Sequence, residues 1–283
     1  MTGTRVVEDR PTTQTFRIAH ASRGASVDSA RLALPCVITR EWAWGSSNGA
    51  GVRVCLIDSG VDTAHPGLGG PVTTFTVTSE PDDDGVSYHQ IVPDEAGDQA
   101  GHGTACAGVI RAMAPGCELT SIRVLGSGLR GSGEVLLSAL EWAIGHGFHL
   151  INLSLSTRRT EHKEALHDLA DRAYFAGVTI VASAHNRPVR SWPWNFSSVI
   201  SVGSHSMAEG EYLEFNPEPP VEFFARGVAV EVPQPGGGTS RLSGNSFATP
   251  HVTGMCARIL GHHPGLPTGQ LKYVLAAIAD NRI

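Results

Sequence analysis

The sequence is organised around one stretch in its last quarter, Gly244-Asn245-Ser246-Phe247-Ala248-Thr249-Pro250-His251-Val252-Thr253-Gly254. The small and apolar residues of this stretch predict a helix that begins around Ser246 and ends near Leu260. Proline is tolerated in the first turn of a helix, where its missing N–H is not needed. A serine at a helix start lies among unpaired backbone N–H groups, which can stabilise a developing negative charge. The alternative is that Ser246 serves only as the N-cap of the helix.

The composition allows one large α/β domain or two smaller ones. The chain has 283 residues, of which 41% are hydrophobic and 17% charged, and its net charge is −6. A chain of this length can bury a full core. Because the balance of charge is acidic, we expect neither nucleic acid nor an anionic membrane as a partner. No stretch approaches about 18 consecutive apolar residues, so we predict no transmembrane helix.

The cysteines and the N-terminal residues bear on the cellular compartment. The first 18 residues are polar and lack the apolar core of a signal peptide. The cysteines are odd in number and lack the Cys-x-x-Cys spacing, which disfavours both a disulfide framework and a zinc site. They are Cys36, Cys55, Cys106, Cys117 and Cys256. We therefore predict a cytoplasmic protein with free thiols.

From residue 51 onward, short apolar runs alternate with amphipathic segments. Strands are predicted over residues 52–57, 72–77, 119–125, 149–155, 178–183 and 199–202, with one or two more within 223–232. Helices are predicted over residues 39–44, 105–113, 134–145 and 160–176. This alternation indicates a mostly parallel sheet covered by helices on both faces. We expect one such domain over residues 41–283, preceded by a polar N-terminal arm over residues 1–40.

Three polar residues occupy positions where open α/β sheets gather functional groups. Asp58 ends the strand over residues 52–57, His102 lies between two glycines at a helix start, and Ser246 begins the last helix. Asp58 alone could be a turn residue or a helix cap, and a lone histidine is usually structural. Their chain order, Asp, His, Ser, is one of the known orders of a catalytic triad.

The segments around these residues resemble the subtilisin-like serine proteases, the subtilase or peptidase S8 family. The resemblance is carried by residues 54–62, 101–108 and 244–252, and also by parts of residues 124–144 and by residues 151–155. It covers about residues 40 to 280. It implies the three-layer α/β/α fold of subtilisin and the activity of a serine endopeptidase.

The resemblance assigns a role to each of these residues. Ser246 would attack the scissile carbonyl and form an acyl-enzyme, while His102 would take its proton and pass it to the leaving amine. Asp58 would hold the imidazole in the required tautomer. Asn186 follows the strand over residues 178–183, where the family keeps its oxyanion asparagine, and it would act with the backbone N–H of Ser246. The alternative for Asn186 is a loop turn residue.

The family clamps an extended peptide between two strands, so the resemblance implies a peptide or protein substrate bound by strand addition. A flexible turn would account equally well for the glycines of residues 131–133. His185 replaces the usual glycine beside the primary pocket, so we do not expect large aromatic residues at the cleavage position. Asn245, in the usual place of threonine, could still donate a hydrogen bond near the oxyanion. The residues expected to contact substrate are Gly131, Ser132, Gly133, Ser154, Leu155, Ser156 and His185.

The segment after the His102 helix departs from the family pattern. Many relatives carry a long calcium-binding loop there, whereas residues 114–117 lead directly to the next strand. Calcium needs six to eight oxygen ligands, which this turn cannot supply. We therefore expect no calcium at that site, and no metal or other cofactor in the reaction. Asp82-Asp83-Asp84 could be a weak cation site, but we favour a solvated acidic loop.

Cys106 lies four residues after His102, on the same face of the predicted helix. It resembles the thiol near the catalytic histidine in the proteinase K group, although a small buried apolar residue is the favoured alternative. Both interpretations predict that a bulky mercurial on Cys106 inactivates the protein.

Three functional hypotheses remain on the sequence alone. The first is an active endopeptidase, which could be dedicated to processing one peptide or protein. The second is a catalytically impaired subtilase scaffold that only binds peptides, and the third is a transamidating or macrocyclising relative. The presence of Asp58, His102, Asn186 and Ser246 together favours an enzyme. The N-terminal arm is expected to be either flexible or inhibitory, with Leu34-Pro35 as the candidate blocking segment.

Overall fold

A computed structural model describes residues 34–81 and 87–282 of the chain, together with the backbone of residues 13–16 and 25–28. The contacts within the chain divide into two units, residues 1–38 and 39–283. In the first unit, strands β1 (Thr13–Phe16) and β2 (Ala25–Asp28) pair antiparallel. The polar sequence there did not predict this pairing. The inhibitory role of the arm stays a prediction, and the acidic run at 82–84 lies outside the described residues.

A nine-stranded sheet forms the centre of the second unit. The two edge strands, β5 and β10, pair antiparallel with their neighbours, and the strands between them are all parallel. The strand order is β10-β11-β9-β8-β7-β3-β6-β4-β5. The strands are β3 (Arg53–Asp58), β4 (Val72–Pro81), β5 (Ser87–Pro93), β6 (Glu118–Arg123), β7 (Leu150–Leu153), β8 (Thr179–Ser183), β9 (Ile200–His205), β10 (Glu214–Phe215) and β11 (Phe223–Arg226).

Helices cover both faces of this sheet. Helices α2 and α5 pack against each other and against the central strands, while α3 and α4 pair on the opposite face. The expected three-layer α/β/α architecture is therefore confirmed. No helix in the described part of the chain is long and apolar enough to cross a membrane. The helices are α1 (Arg40–Ala43), α2 (His102–Met113), α3 (Gly133–Gly145), α4 (Lys163–Phe175), α5 (Asn245–His262) and α6 (Thr268–Ala277), with 3₁₀ turns at Pro66–Leu68 and Thr160–His162.

The strands buried on both faces are the ones that the sequence predicts best. In β3 every residue from Val54 to Asp58 is buried, and β7 and β8 are buried throughout. Their side chains contact helices on either side, which explains their continuous apolar runs. The carboxyl ends of these three adjacent strands meet at one edge of the sheet.

The partly polar edge elements were predicted less well. The strand expected over residues 72–77 extends to Pro81 and pairs with β5, a segment that we took for a surface loop. Sequence analysis also missed β10, α6 and the second strand of the hairpin formed by β12 (Val230–Pro233) and β13 (Thr239–Leu242). The strands among them are short or half-exposed and lack the apolar runs on which the predictions rested. The end of helix α6 lies in an apolar run over residues 274–279, so that signal was present and was missed.

Candidate active site

Asp58, the last residue of β3, places a buried carboxylate beside His102, the first residue of α2. The Asp58 side chain is fully buried, and its Oδ1 accepts hydrogen bonds from the Ser59 backbone N–H at 2.8 Å and from His102 Nδ1 at 2.7 Å. The close approach of helix and strand depends on Gly103. A Cβ atom at that position would lie 2.0 Å from the carbonyl oxygen of Gly60. The glycine after His102 is therefore required for packing.

Asp98 fixes the start of α2, and sequence analysis did not identify it. Its Oδ1 accepts the backbone N–H of Gly101 at 2.8 Å and the Ser59 hydroxyl at 2.7 Å. Its Oδ2 accepts both the N–H of Thr104 at 2.8 Å and the Thr104 hydroxyl at 2.5 Å. Because Ser59 adjoins Asp58, this network holds the helix in register with the strand. An aspartate three residues before the glycine at a helix start was the available signal.

Ser246 is the second residue of α5, and Gly244 occupies the N-cap position. The alternative role of Ser246 as an N-cap is therefore wrong. A Cβ atom at Gly244 would lie 3.3 Å from Ser246 Oγ and 3.5 Å from Asn186 Nδ2, so both groups approach the same α-carbon. No hydrogen bond joins Ser246 Oγ to His102 among the described residues, although both line one cavity. In free enzymes this contact is commonly long and tightens when substrate binds.

Pro250 lies deeper in α5 than we expected. It is the sixth residue of the helix, so its missing N–H leaves the carbonyl of Ser246 without its helical partner. Two side chains from other elements replace that partner. The Ser154 hydroxyl donates to the Ser246 carbonyl at 2.9 Å, and the Cys106 thiol approaches it at 3.5 Å. The backbone of Ser246 is thereby bound to the residue that follows β7 and to α2.

The side chain of Asn245 does not point to the oxyanion position. Its Nδ2 donates to the carbonyls of Ala184 at 3.1 Å and His185 at 3.4 Å, and its Oδ1 accepts from the Ser204 hydroxyl at 2.8 Å. The expectation of a hydrogen bond from Asn245 near the oxyanion is therefore wrong. Its backbone N–H instead donates to Asn186 Oδ1 at 2.9 Å. This bond orients the Asn186 amide and leaves Nδ2 free to face the cavity.

The electrostatics of the site favour a histidine with an elevated pKa. Burial is the largest single effect and lowers the pKa of His102, but the charge and hydrogen bond of Asp58, together with the neighbouring Cys106, outweigh it, and the net direction is upward. Burial also raises the pKa of the Cys106 thiol, which lies 3.9 Å from His102 Nδ1. Cys106 is therefore a neutral, buried thiol near neutral pH. All five cysteines of the chain are free, as the sequence predicts.

A cavity of about 290 Å³ collects most of the predicted site residues. An adjoining cavity of about 330 Å³ shares Leu155 and Ser156 with it and reaches Gly131, Ser132 and Gly133. The smaller cavity is lined by His102, Ser154, Leu155, Ser156, His185, Asn186 and Ser246, with Leu125, Leu129, Ser183 and Ala184. The structure thus brings every sequence-predicted site residue except the buried Asp58 to one groove.

The glycine segment of this groove is fixed in place. A Cβ atom at Gly131 would lie 2.4 Å from the Val124 carbonyl oxygen, and one at Gly133 would lie 2.1 Å from the His162 ring. Ser132 has an extended backbone and caps α3, and Gly133 is the first residue of that helix. Both glycines are therefore needed for close packing, which argues against the flexible turn.

Arg111, near the end of α2, places a buried guanidinium beside the turn that follows the helix. Arg111 donates to the carbonyls of Pro71 at 2.6 Å and Pro115 at 3.3 Å, and also to that of Cys117.

Elsewhere, Asp58, His102 and Cys106 form a group of metal-ligand side chains within 4.8 Å of one another. The hydrogen bond between Asp58 and His102 already joins two of them.

Comparisons with known proteins agree with this geometry. The Subtilase family model matches residues 49–282. Subtilisin DY of Bacillus licheniformis is 31% identical over 248 residues, which cover 82% of this chain and 85% of that protein. The structure of a cold-adapted subtilisin-like serine proteinase matches with a TM-score of 0.64 at 25% identity, over 84% of this chain and 87% of its own. A lanthipeptide protease matches with a TM-score of 0.64 at 25% identity, over 80% of each chain. The chain belongs to the subtilase family of serine endopeptidases.

Proposed function

We propose that this protein hydrolyses peptide bonds through a triad of Asp58, His102 and Ser246. One observation carries the assignment. His102 Nδ1 lies 2.7 Å from the buried Asp58 carboxylate, while the same imidazole, Asn186 and Ser246 line one cavity. A buried carboxylate that orients a histidine toward a serine is the arrangement that activates a hydroxyl nucleophile.

The reaction follows from the roles of these groups. His102 Nε2 removes the proton of Ser246 as Oγ attacks the substrate carbonyl, and Asp58 stabilises the imidazolium that results. The imidazolium then protonates the leaving amine, which departs and leaves an acyl-enzyme. Water attacks the ester in a second cycle of the same proton transfers and regenerates Ser246.

The negative charge of the tetrahedral intermediate requires donors that are already in place. Asn186 Nδ2 and the backbone N–H of Ser246 would supply them, the latter at the positive end of α5. The bond from the Asn245 N–H to Asn186 Oδ1 holds the amide in position before substrate arrives. The oxyanion site is therefore pre-organised on two elements, the segment after β8 and the start of α5.

An extended peptide or protein segment is the proposed substrate. The backbone at Ser132 is extended on one side of the groove, and residues 154–156 follow β7 on the other. A peptide placed between them would gain main-chain hydrogen bonds as an added strand. Dedicated processing of one peptide is the more specific role that we infer. It is supported by the likeness to a structure described as a lanthipeptide protease.

A fluorophosphonate probe tests the triad directly. We expect stoichiometric labelling of Ser246, complete loss of labelling in Ser246→Ala, and normal labelling in the matched variant Ser197→Ala, whose residue is exposed and lies outside the groove. Peptide mapping by mass spectrometry identifies the modified residue. Absence of labelling in a folded sample would support the peptide-binding scaffold instead. Product masses from a cleaved peptide separate hydrolysis from transamidation.

A further inference from the structure

The groove continues into a third cavity beyond Asn186. The central cavity contains Ser246 and shares Leu155 with the cavity of about 330 Å³, which we call the Leu155 cavity. On its other side it shares Ala184, His185 and Asn186 with a cavity of about 500 Å³, which we call the Trp194 cavity. A substrate strand that passes over Ser246 would therefore lie close to both of these cavities.

Both outer cavities are lined by arginines. The Leu155 cavity carries Arg130 and Arg159, and the Trp194 cavity carries Arg187 and Arg190. Among the described residues, no aspartate or glutamate lines any of the three cavities. The chain as a whole is acidic, with 27 carboxylate side chains against 21 Lys and Arg. The groove is thus positively charged, although the net charge of the whole chain is negative.

Among the described residues, these arginines have few partners for their guanidinium groups. Arg159 forms an exposed pair with Glu161 at 3.4 Å. Within the described parts of the chain, no ion pair or hydrogen bond engages the guanidinium group of Arg130, Arg187 or Arg190. All four side chains are exposed. Unpaired guanidinium groups along a groove remain available to a bound carboxylate, for which their fork of donors is well suited.

The Leu155 cavity also has an apolar floor. Val124 and Leu136 are buried, Leu125 and Leu155 are half-buried, and all four line the cavity together with the exposed arginines. A side chain that fits this cavity would place methylene groups on the floor and its charge at the rim. Glutamate meets both conditions better than aspartate, because it has one more methylene group.

We propose that the groove selects acidic peptides, with a glutamate side chain in the Leu155 cavity near Arg130 and a second acidic position in the Trp194 cavity near Arg187. This inference rests on the proposed function, since it names the substrate class of the same site. Contacts of this kind are solvent-exposed, so each is worth about two- to five-fold in kcat/KM. Salt screens them, because the Debye length shortens from about 10 Å at 0.1 M to about 3 Å at 1 M.

A matched peptide set tests the inference. Each pair of peptides differs by one Glu or Gln, placed in turn at four positions on either side of the cleaved bond. Because the two side chains are nearly identical in shape, the ratio of their kcat/KM values isolates the charge. We expect a ratio of about two to five at one or more positions in low salt, falling toward one in 1 M NaCl.

Charge-reversal variants locate the contacts. Arg130→Glu should invert the Glu/Gln ratio at one position and Arg187→Glu at a different one, and because each ratio is taken within one variant, any general change in kcat/KM cancels. Arg282→Glu, which changes the net charge equally at an exposed site outside the three cavities, should leave every ratio unchanged. Ratios of one at every position, or ratios that neither reversal alters, would overturn the inference.

The outcome is separable from that of the proposed function. Cleavage of the all-Gln peptide supports the protease whether or not charge matters. Binding of fluorescent Glu and Gln peptides to Ser246→Ala, measured by anisotropy, gives a readout that needs no turnover. Tighter binding of the Glu peptide supports the acidic groove, and equal or weaker binding overturns it.

Discussion

His102 and His251 lie in the neighbouring helices α2 and α5, and the structure gives their imidazoles opposite surroundings. His102 borders a cavity and contacts a carboxylate, which raises its pKa. His251 is buried, and its Nδ1 donates to the Phe247 carbonyl at 2.8 Å. Burial lowers the pKa of His251 to about 4. One histidine is arranged to exchange protons, and the other to remain neutral within the helix packing.

The same contrast extends along both helices. Their N-terminal ends present His102 and Ser246 to the groove, where partners are left open for substrate. Farther along, Arg111 Nη1 and Nη2 in α2 donate to backbone carbonyls of other segments, and the Thr253 hydroxyl in α5 donates to Asn152 Oδ1. We therefore expect substitutions at the N-terminal ends of α2 and α5 to change activity, and substitutions farther along both helices to change stability. The predictions below test this division, from the largest expected effect to the smallest.

Asp58→Asn should remove the main difference between the two histidines. We expect kcat to fall by about 10⁴, because an amide favours the wrong imidazole tautomer. His102 acts as a base only when neutral, so kcat/KM of the wild type should rise with pH through a pKa above about 6.5. In Asp58→Asn, which lacks the carboxylate, this ascending limb of the pH profile of kcat/KM should move to lower pH. A pH profile of kcat/KM for both proteins measures the shift, and an unmoved limb would show that Asp58 does not set the pKa.

Arg111→Met should affect stability and leave catalysis unchanged. Removal of the guanidinium takes the donor away from the carbonyls of Pro115 and Cys117 in the turn after α2 and from that of Pro71 before β4, so we expect a loss of about 3 to 5 kcal/mol in the free energy of unfolding. Urea denaturation measures it, with the exposed Arg172→Met as the matched control, expected within about 0.5 kcal/mol of the wild type.

We also expect EDTA to leave Tm unchanged. A drop in Tm with EDTA that maps to this turn would contradict the absence of calcium there.

Asn186→Ala should lower catalysis and leave stability unchanged. The side chain is exposed, so we expect Tm to stay unchanged. Loss of the amide donor should lower kcat by about 10² to 10³ with little change in KM, the magnitude known for the corresponding donor in subtilisin. Steady-state kinetics and a melting curve on one sample measure both. A rise in KM with kcat unchanged would place Asn186 in ground-state binding instead.

His251→Gln should change the pH dependence of stability. The unfolded chain gains a proton on this histidine near pH 6.5, whereas the folded protein takes it up only near pH 4. His251 therefore costs stability as pH falls from 7 to 4, by about 3 kcal/mol in total. The glutamine variant lacks this cost, so its free energy of unfolding should improve relative to the wild type by that amount. Urea denaturation at pH 7 and pH 4 measures the change, and a constant difference between the two proteins would refute it.

The sequence predicted the parallel core and the chemistry at its edge, because both depend on local patterns. A buried strand ending in Asp58 and a histidine between two glycines are visible within a few residues. The hydrogen-bonding partners were not visible in this way. Asp98 and Ser154 act through contacts between segments distant in sequence, and Asn245 proved to hold the loop before Asn186. Cytoplasmic localisation and the absence of a cofactor stay predictions.

The central claim is that Ser246 and His102 act as one catalytic unit. The kcat values of Ser246→Ala, His102→Ala and the double variant test it most directly. We expect each single change to lower kcat by about 10⁶, as in subtilisin, and the double variant to lose little more than either one. Losses that multiply in the double variant would show independent roles and would contradict the triad.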